Sequence, residues 1–356
     1  MGRLVSRSFG WKRLIFQRNN EGMKSSFSAV LLIVAVLPLN LAGAGDIRAD
    51  SYNPLAVDPA FRPSHVELTV HDTARDRDIP LRVYLPAKRA PAPVVLFSHG
   101  LGGTRAGSVY LGEHWSARGY VAVFLQHPGS DDSVWKDEPV ADRIQAMKQA
   151  ASLENFLLRV KDIPVVLNQL AVWNADKTNS LAGRLDMKRI GMSGHSFGAV
   201  TTEAVSGEIM PAGGQEFTDP RLRAAIVFSP SAPHTLSAEE AFGAVKIPWL
   251  LMTGTKDVTV IGTADMKSRL AVYPALHGAP KYEVVLFNAE HSVFTDRALP
   301  GDHEPRNPNH HRVILALSTA FWDAYLCGDA GAIAWLNGPG PRSVMEPGDQ
   351  WQSSPH

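Results

Sequence analysis

A serine set between two glycines, in Gly194-His195-Ser196-Phe197-Gly198, has the surroundings that let a single hydroxyl stand clear on a sharp reversal of the chain. The run 189–193 before it reads as a strand, and Ala199 and Val200 open a helical pattern after it, so strand should turn into helix at the serine itself. This strand, turn and helix context is that of a nucleophile elbow. The reversal crowds the backbone and holds the serine in a strained conformation, which is why glycine is needed close by. A helix starting there also brings the positive end of its dipole and free backbone N–H groups, of which Phe197 N–H would be the first donor to a developing oxyanion.

A serine hydroxyl attacks poorly until a base takes its proton and a carboxylate fixes that base. His291, in Asn288-Ala289-Glu290-His291, follows the apolar run 282–287, and Asp257, in Thr253-Gly254-Thr255-Lys256-Asp257, follows the run 249–253. Both fall on loops just past strand ends, in the chain order serine, acid, histidine. Asp296 is the main rival for the acid, and His277, His303, His310 and His311 are rivals for the base. Glu290 adjoins His291 but should point elsewhere. The second oxyanion donor is expected from His99-Gly100-Leu101-Gly102-Gly103, where glycines allow close approach and Leu101 N–H would join Phe197 N–H. His99, His195 and Ser193 are expected to hold structure rather than react.

These residues need a frame that brings distant loops to one edge. Short apolar runs at 66–70, 81–85, 94–98, 120–126, 189–193, 224–228, 249–253 and 282–287 alternate with longer amphipathic stretches. That alternation predicts an α/β fold with a mostly parallel sheet of about eight strands and helices on both faces. Helical spacing is clearest at Val160, Ile163, Leu167 and Leu170, and again from His311 to Leu326 with Gly328 at the end. A polar insertion around Trp135, residues 129–156, follows a strand end and could border a substrate cleft. The glycine- and proline-rich residues 338–356 read as an irregular tail.

Composition narrows the rest. Among 356 residues, 35 basic side chains balance 35 acidic ones, so no net field would draw in nucleic acid. The single cysteine, Cys327, excludes an internal disulfide and cysteine-bound zinc. The histidine-rich stretch from Asp302 to His311 lacks metal-ligand spacing, so neither metal nor cofactor is expected. From Met23, a lysine, the apolar run 27–37 and Ala42-Gly43-Ala44 have the layout of a secretory signal. Initiation at Met23, cleavage after Ala44, one catalytic domain over 45–356 and export to the periplasm or medium are the expectations. The apolar run is too short for a membrane span.

Taken together, Ser98-His99-Gly100-Leu101-Gly102-Gly103-Thr104, Gly194-His195-Ser196-Phe197-Gly198, Asp257 and His291 resemble the bacterial predicted dienelactone hydrolases and the platelet-activating-factor acetylhydrolases of the α/β-hydrolase superfamily. The resemblance runs from about Asp72 to the segment ending at Leu326. It implies a serine esterase acting on a small-molecule or lipid ester, with oxyanion donors at Leu101 and Phe197. True dienelactone hydrolases carry cysteine where Ser196 stands. Polyester hydrolases of the cutinase type share the fold, but their usual disulfide cannot form here. An amidase or peptidase using the same three residues, and a catalytically idle binding protein on this fold, are the alternative readings.

Overall fold

A computed structural model of the chain describes residues 52–299 and 301–355, so the expected export segment lies outside the described residues. Nine strands form one sheet: β1 (His65–Asp72), β2 (Arg77–Tyr84), β3 (Ala92–Ser98), β4 (Val121–Leu125), β5 (Leu185–His195), β6 (Leu222–Phe228), β7 (Trp249–Lys256), β8 (Lys281–Glu290) and β9 (Gln350–Ser354). Their order is β1-β2-β4-β3-β5-β6-β7-β8-β9. The six from β4 to β8 run parallel, while β1, β2 and β9 pair antiparallel at the edges.

The parallel strands are buried on both faces, and their alternate residues feed separate cores. Val95 and Phe97 of β3 point with Trp115, Leu317 and Phe321 into one core, whereas Val94 and Leu96 point with Ile163 and Leu167 into another. Helices α1 (Val109–Ala117), α8 (Pro308–Cys327) and α9 (Ala330–Asn337) cover the first face. On the second lie α3 (Leu153–Ala175) and α4 (Phe197–Val205), joined by α5 (Ala238–Phe242) and α7 (Val272–Ala275). Two further helices, α2 (Arg143–Ala150) and α6 (Met266–Leu270), belong to loops at the sheet edge considered below. Among the described residues no helix is long and apolar enough to cross a membrane.

Helix α3 contains Pro164, which removes one helical hydrogen bond at a cost of about 3 kcal/mol. Val160, Ile163, Leu167 and Leu170, the residues with helical spacing, are at most 1% exposed, and each buried side chain of this size contributes about 1.5–3 kcal/mol. Their burial outweighs the proline, and the helix continues through it. Ser152 caps its start by accepting from Asn155 N–H. Gly328, in the left-handed conformation at φ 67°, ends α8 as the sequence suggests.

The sheet has one strand more than expected, because the segment read as an irregular tail supplies β9. Its Gln-Trp-Gln-Ser-Ser carries no apolar alternation, yet it pairs with β8 and stacks Trp351 on Tyr282 with ring centroids 5.7 Å apart. An exposed edge strand needs pairing more than a hydrophobic face, so composition did not mark it.

Candidate active site

The chain leaves β3 for β4 on one side and returns through α3 to β5 on the other, so the strand order reverses beside β3. Loops at the carboxyl ends of strands meet in the crevice at such a point. There the structure brings together all five residues singled out in the sequence, from the loops after β3, β5, β7 and β8.

Ser196 occupies the turn between β5 and α4 with φ 58° and ψ −115°, a strained backbone for a side chain other than glycine. The glycines around it are dictated by contact. A Cβ on Gly194 would lie 2.2 Å from the carbonyl oxygen of Gly198, and one on Gly198 would lie 1.9 Å from that of Ser98. His291 Nε2 lies 2.8 Å from Ser196 Oγ, and its Nδ1 lies 2.6 Å from Asp257 Oδ1. With the Nδ1 proton donated to the carboxylate, Nε2 is left free to accept from the serine hydroxyl. Thr253 Oγ1–H donates to the other oxygen of Asp257 at 2.8 Å.

The glycine loop after β3 lies against the serine: a Cβ on Gly100 would be 3.3 Å from Ser196 Cβ. Gly103 N–H closes this loop on Gly100 O at 3.0 Å, and Gly102 N–H donates to Ser130 O at 2.9 Å. Among the described residues, the Leu101 and Phe197 amides donate to no acceptor. The polar insertion packs on the loop's outside, with Trp135 Nε1–H donating to Gly102 O at 2.7 Å and Met147 of α2 beside the same glycine.

Most of the remaining candidates have other partners, and His303 is exposed. Asp296 accepts from Val109 N–H, His277 meets Glu239, His310 meets Phe287 O, and His311 stacks on Tyr110. Glu290 accepts from the amides of His303 and Glu304, pointing away from the imidazole as expected. His99 ties the glycine loop, its Nδ1 donating to Gly100 O and its Nε2 accepting from His127 N–H. His195 Nε2–H donates to His291 O at 2.9 Å, while burial and the neighbouring His291 push its ring down to about 3, so it stays neutral. Ser193 Oγ–H donates to Leu96 O.

One residue at the centre carried no sequence signal. Arg269 of α6, 1% exposed, donates to Asp257 O at 2.7 Å and to Ser229 O at 2.9 Å. Its Nη2 lies 2.9 Å from Asp257 Oδ1 and 3.3 Å from His291 Nδ1. Burial alone would raise the Asp257 carboxyl. The attraction and hydrogen bond of His291, with the guanidinium of Arg269, outweigh it and hold the carboxyl well below the usual carboxylate range. A second Ser–His–Asp chain also occurs beneath the glycine loop: His127 contacts Ser98 Oγ at 3.0 Å and Asp162 at 2.8 Å. All three are wholly buried, which keeps substrate from them.

Residues 146–299 match the family described as PET hydrolase-like. That segment contains Ser196, Phe197, Asp257, Arg269 and His291, and the match indicates a carboxylic ester hydrolase of the α/β-hydrolase fold. No curated protein matches the chain. The match leaves the likeness of the motifs to dienelactone hydrolases and platelet-activating-factor acetylhydrolases unsupported, and it turns toward the polyester-cleaving enzymes that the single cysteine had set aside. A disulfide constrains the unfolded chain and contributes no group to ester cleavage, so its absence is no obstacle to that chemistry.

Behind the elbow, Glu203 of α4 and Glu208 are buried carboxyls, 1% and 5% exposed. Glu203 Oε1 accepts from Ser231 N–H, whereas Glu208 Oε2 has no partner among the described residues. Burial pushes the Glu208 carboxyl up to about 8, while a glutamate in the unfolded chain ionises near about 4.3. Between those values the folded protein keeps a proton the unfolded chain has lost, so this group lowers stability as pH rises through the window. Glu208→Gln should therefore flatten the fall of Tm between pH 5 and pH 8 and be more stable than the parent at pH 8, by on the order of 2 kcal/mol. Parallel melting curves at the two pH values would contradict it.

Proposed function

We propose that the chain is a serine-dependent carboxylic ester hydrolase with Ser196 as nucleophile, His291 as base, Asp257 as the group that orients the base, and Leu101 and Phe197 amides as oxyanion donors. The observation that carries this reading is the unbroken contact from Ser196 Oγ to His291 Nε2 at 2.8 Å and from His291 Nδ1 to Asp257 Oδ1 at 2.6 Å, at an elbow strained to φ 58°.

Ser196 Oγ attacks the ester carbonyl carbon as His291 Nε2 takes its proton, and the carbonyl electrons move to an oxygen held by the two amides. Collapse breaks the bond to the alcohol oxygen, which leaves with the proton from His291. The acyl group remains on Ser196. Water then enters, gives its proton to His291, and releases the carboxylic acid with Ser196 restored. Asp257 keeps the imidazole in the tautomer with Nε2 unprotonated and stabilises the imidazolium that forms. No step requires a cofactor.

The PET hydrolase-like match brings polyesters into the substrate range alongside small esters. Export, suggested by the leader pattern of residues 23–44, would carry the enzyme to where polymeric esters are met.

The experiment is treatment of the protein with a fluorophosphonate, followed by peptide mass analysis and assay on p-nitrophenyl esters of increasing chain length. Activity should vanish as a single adduct accumulates on the peptide carrying Ser196. Full activity after exhaustive treatment, or an adduct confined to another residue, would refute the assignment.

A further inference from the structure

Arg159, on α3, is completely buried, and its guanidinium spans both halves of the oxyanion site. On the glycine-loop side, its Nη2 donates to His99 O and, at 3.0 Å, to Ser98 Oγ, and its Nη1 donates to Ser130 Oγ at 2.9 Å. Ser130 is also the residue whose carbonyl holds Gly102 N–H, beside Leu101. On the α4 side, Arg159 Nε donates to Thr201 Oγ1 at 3.1 Å, and that hydroxyl donates to Phe197 O at 3.0 Å. The guanidinium also lies over the Phe197 ring, its carbon 4.7 Å from the ring centroid.

Such a residue is not explained by stability. Among the described residues no carboxylate lies within ion-pair distance of Arg159, and Asp162, three residues along the same helix, is taken by Arg75, Arg77 and His127. A charge buried against neutral oxygens is costly, and an apolar side chain of similar volume would ordinarily serve packing as well. What it supplies is geometry: a planar fork with donors in fixed directions, which an ammonium cannot match. The amides of Leu101 and Phe197 come from separate loops, and the fork is the one side chain described that bonds to both supports.

We propose that Arg159 is the positioning residue of the oxyanion site, fixing the Leu101 and Phe197 amides at the separation the tetrahedral intermediate requires. This rests on the serine hydrolase reading above. Arg159 touches no reacting atom; it acts through the carbonyls and hydroxyls that carry the two amides.

The test compares the full-length protein with Arg159→Lys and Arg159→Met in turnover and in inhibitor binding. A trifluoromethyl ketone forms a tetrahedral oxyanion on the serine, whereas a neutral alcohol product occupies only the ground-state site. In both variants kcat should fall by about a hundredfold, with affinity for the ketone falling in parallel. KM and alcohol affinity should change by no more than about threefold, and lysine should restore little because the fork is lost. Should these variants fail to fold, Thr201→Val and Ser130→Ala each cut one tie and should lower kcat and ketone affinity together by about tenfold. Folded variants with kcat within about threefold of the parent, or with ketone and alcohol affinities lowered equally, overturn the proposal. Hydrolysis surviving in Ser196→Ala would instead remove the reading beneath it, whereas a dead Ser196→Ala beside fully active Arg159 variants would overturn this inference alone.

Discussion

Ser196→Ala should lower kcat for ester hydrolysis by about a millionfold while the protein folds and melts as before. On the proposed mechanism the loss is this large because the acyl-enzyme route would disappear entirely, leaving only whatever the oxyanion site and substrate binding achieve with water. The fold should survive because alanine pays the same backbone strain at φ 58° that serine already bears, and the hydroxyl's single bond to His291 faces the cleft. His291→Ala should cost about as much, and the double variant no more than either single one, since the two act in one step. That non-additivity is the discriminating measurement. Losses that multiplied would mean that serine and histidine act independently, and the contact at 2.8 Å would then have no catalytic meaning.

The residues behind this prediction were legible in the sequence for a physical reason. A strand-to-helix reversal cannot be built without glycines at 194 and 198, since a Cβ at either would sit within 2.2 Å of a backbone carbonyl oxygen. Steric exclusion of that kind leaves a mark on the sequence. Asp257 and His291 were legible by position, because loops after β7 and β8 converge on the same edge as the loop after β5. Arg159 and Arg269 left no such mark. Each is a charged residue in a helix, and its partners lie far along the chain: Ser98 and Thr201 for one, Ser229 and His291 for the other. Nothing local distinguishes such an arginine from a solvated one. Trp135 was legible only in outline, as part of an insertion near the cleft; its bond to Gly102 O depends on how the loop closes.

Arg269 also sets the size of the second large effect. Asp257→Asn should reduce kcat at neutral pH by about ten thousandfold, since an amide that donates toward Nδ1 favours the tautomer with the proton on Nε2, where it must not be. Here the amide would face a further penalty. Arg269 keeps its bonds to Ser229 O and Asp257 O in the variant, so its guanidinium stays 3.3 Å from Nδ1 with its anion removed and opposes the imidazolium that must form. The same uncompensated charge should destabilise the fold by about 3–5 kcal/mol at pH 7. Because the Asp257 carboxyl is held below the usual carboxylate range, the stability it contributes is present above about pH 4, where the unfolded aspartate ionises, and is lost as pH falls further. The stability gap between parent and variant, measured by urea denaturation, should therefore be widest at neutral pH and narrow progressively below about pH 4. A gap that stayed constant down to pH 3 would mean that the carboxylate charge does not hold this pair together, and that the asparagine variant loses activity through geometry alone.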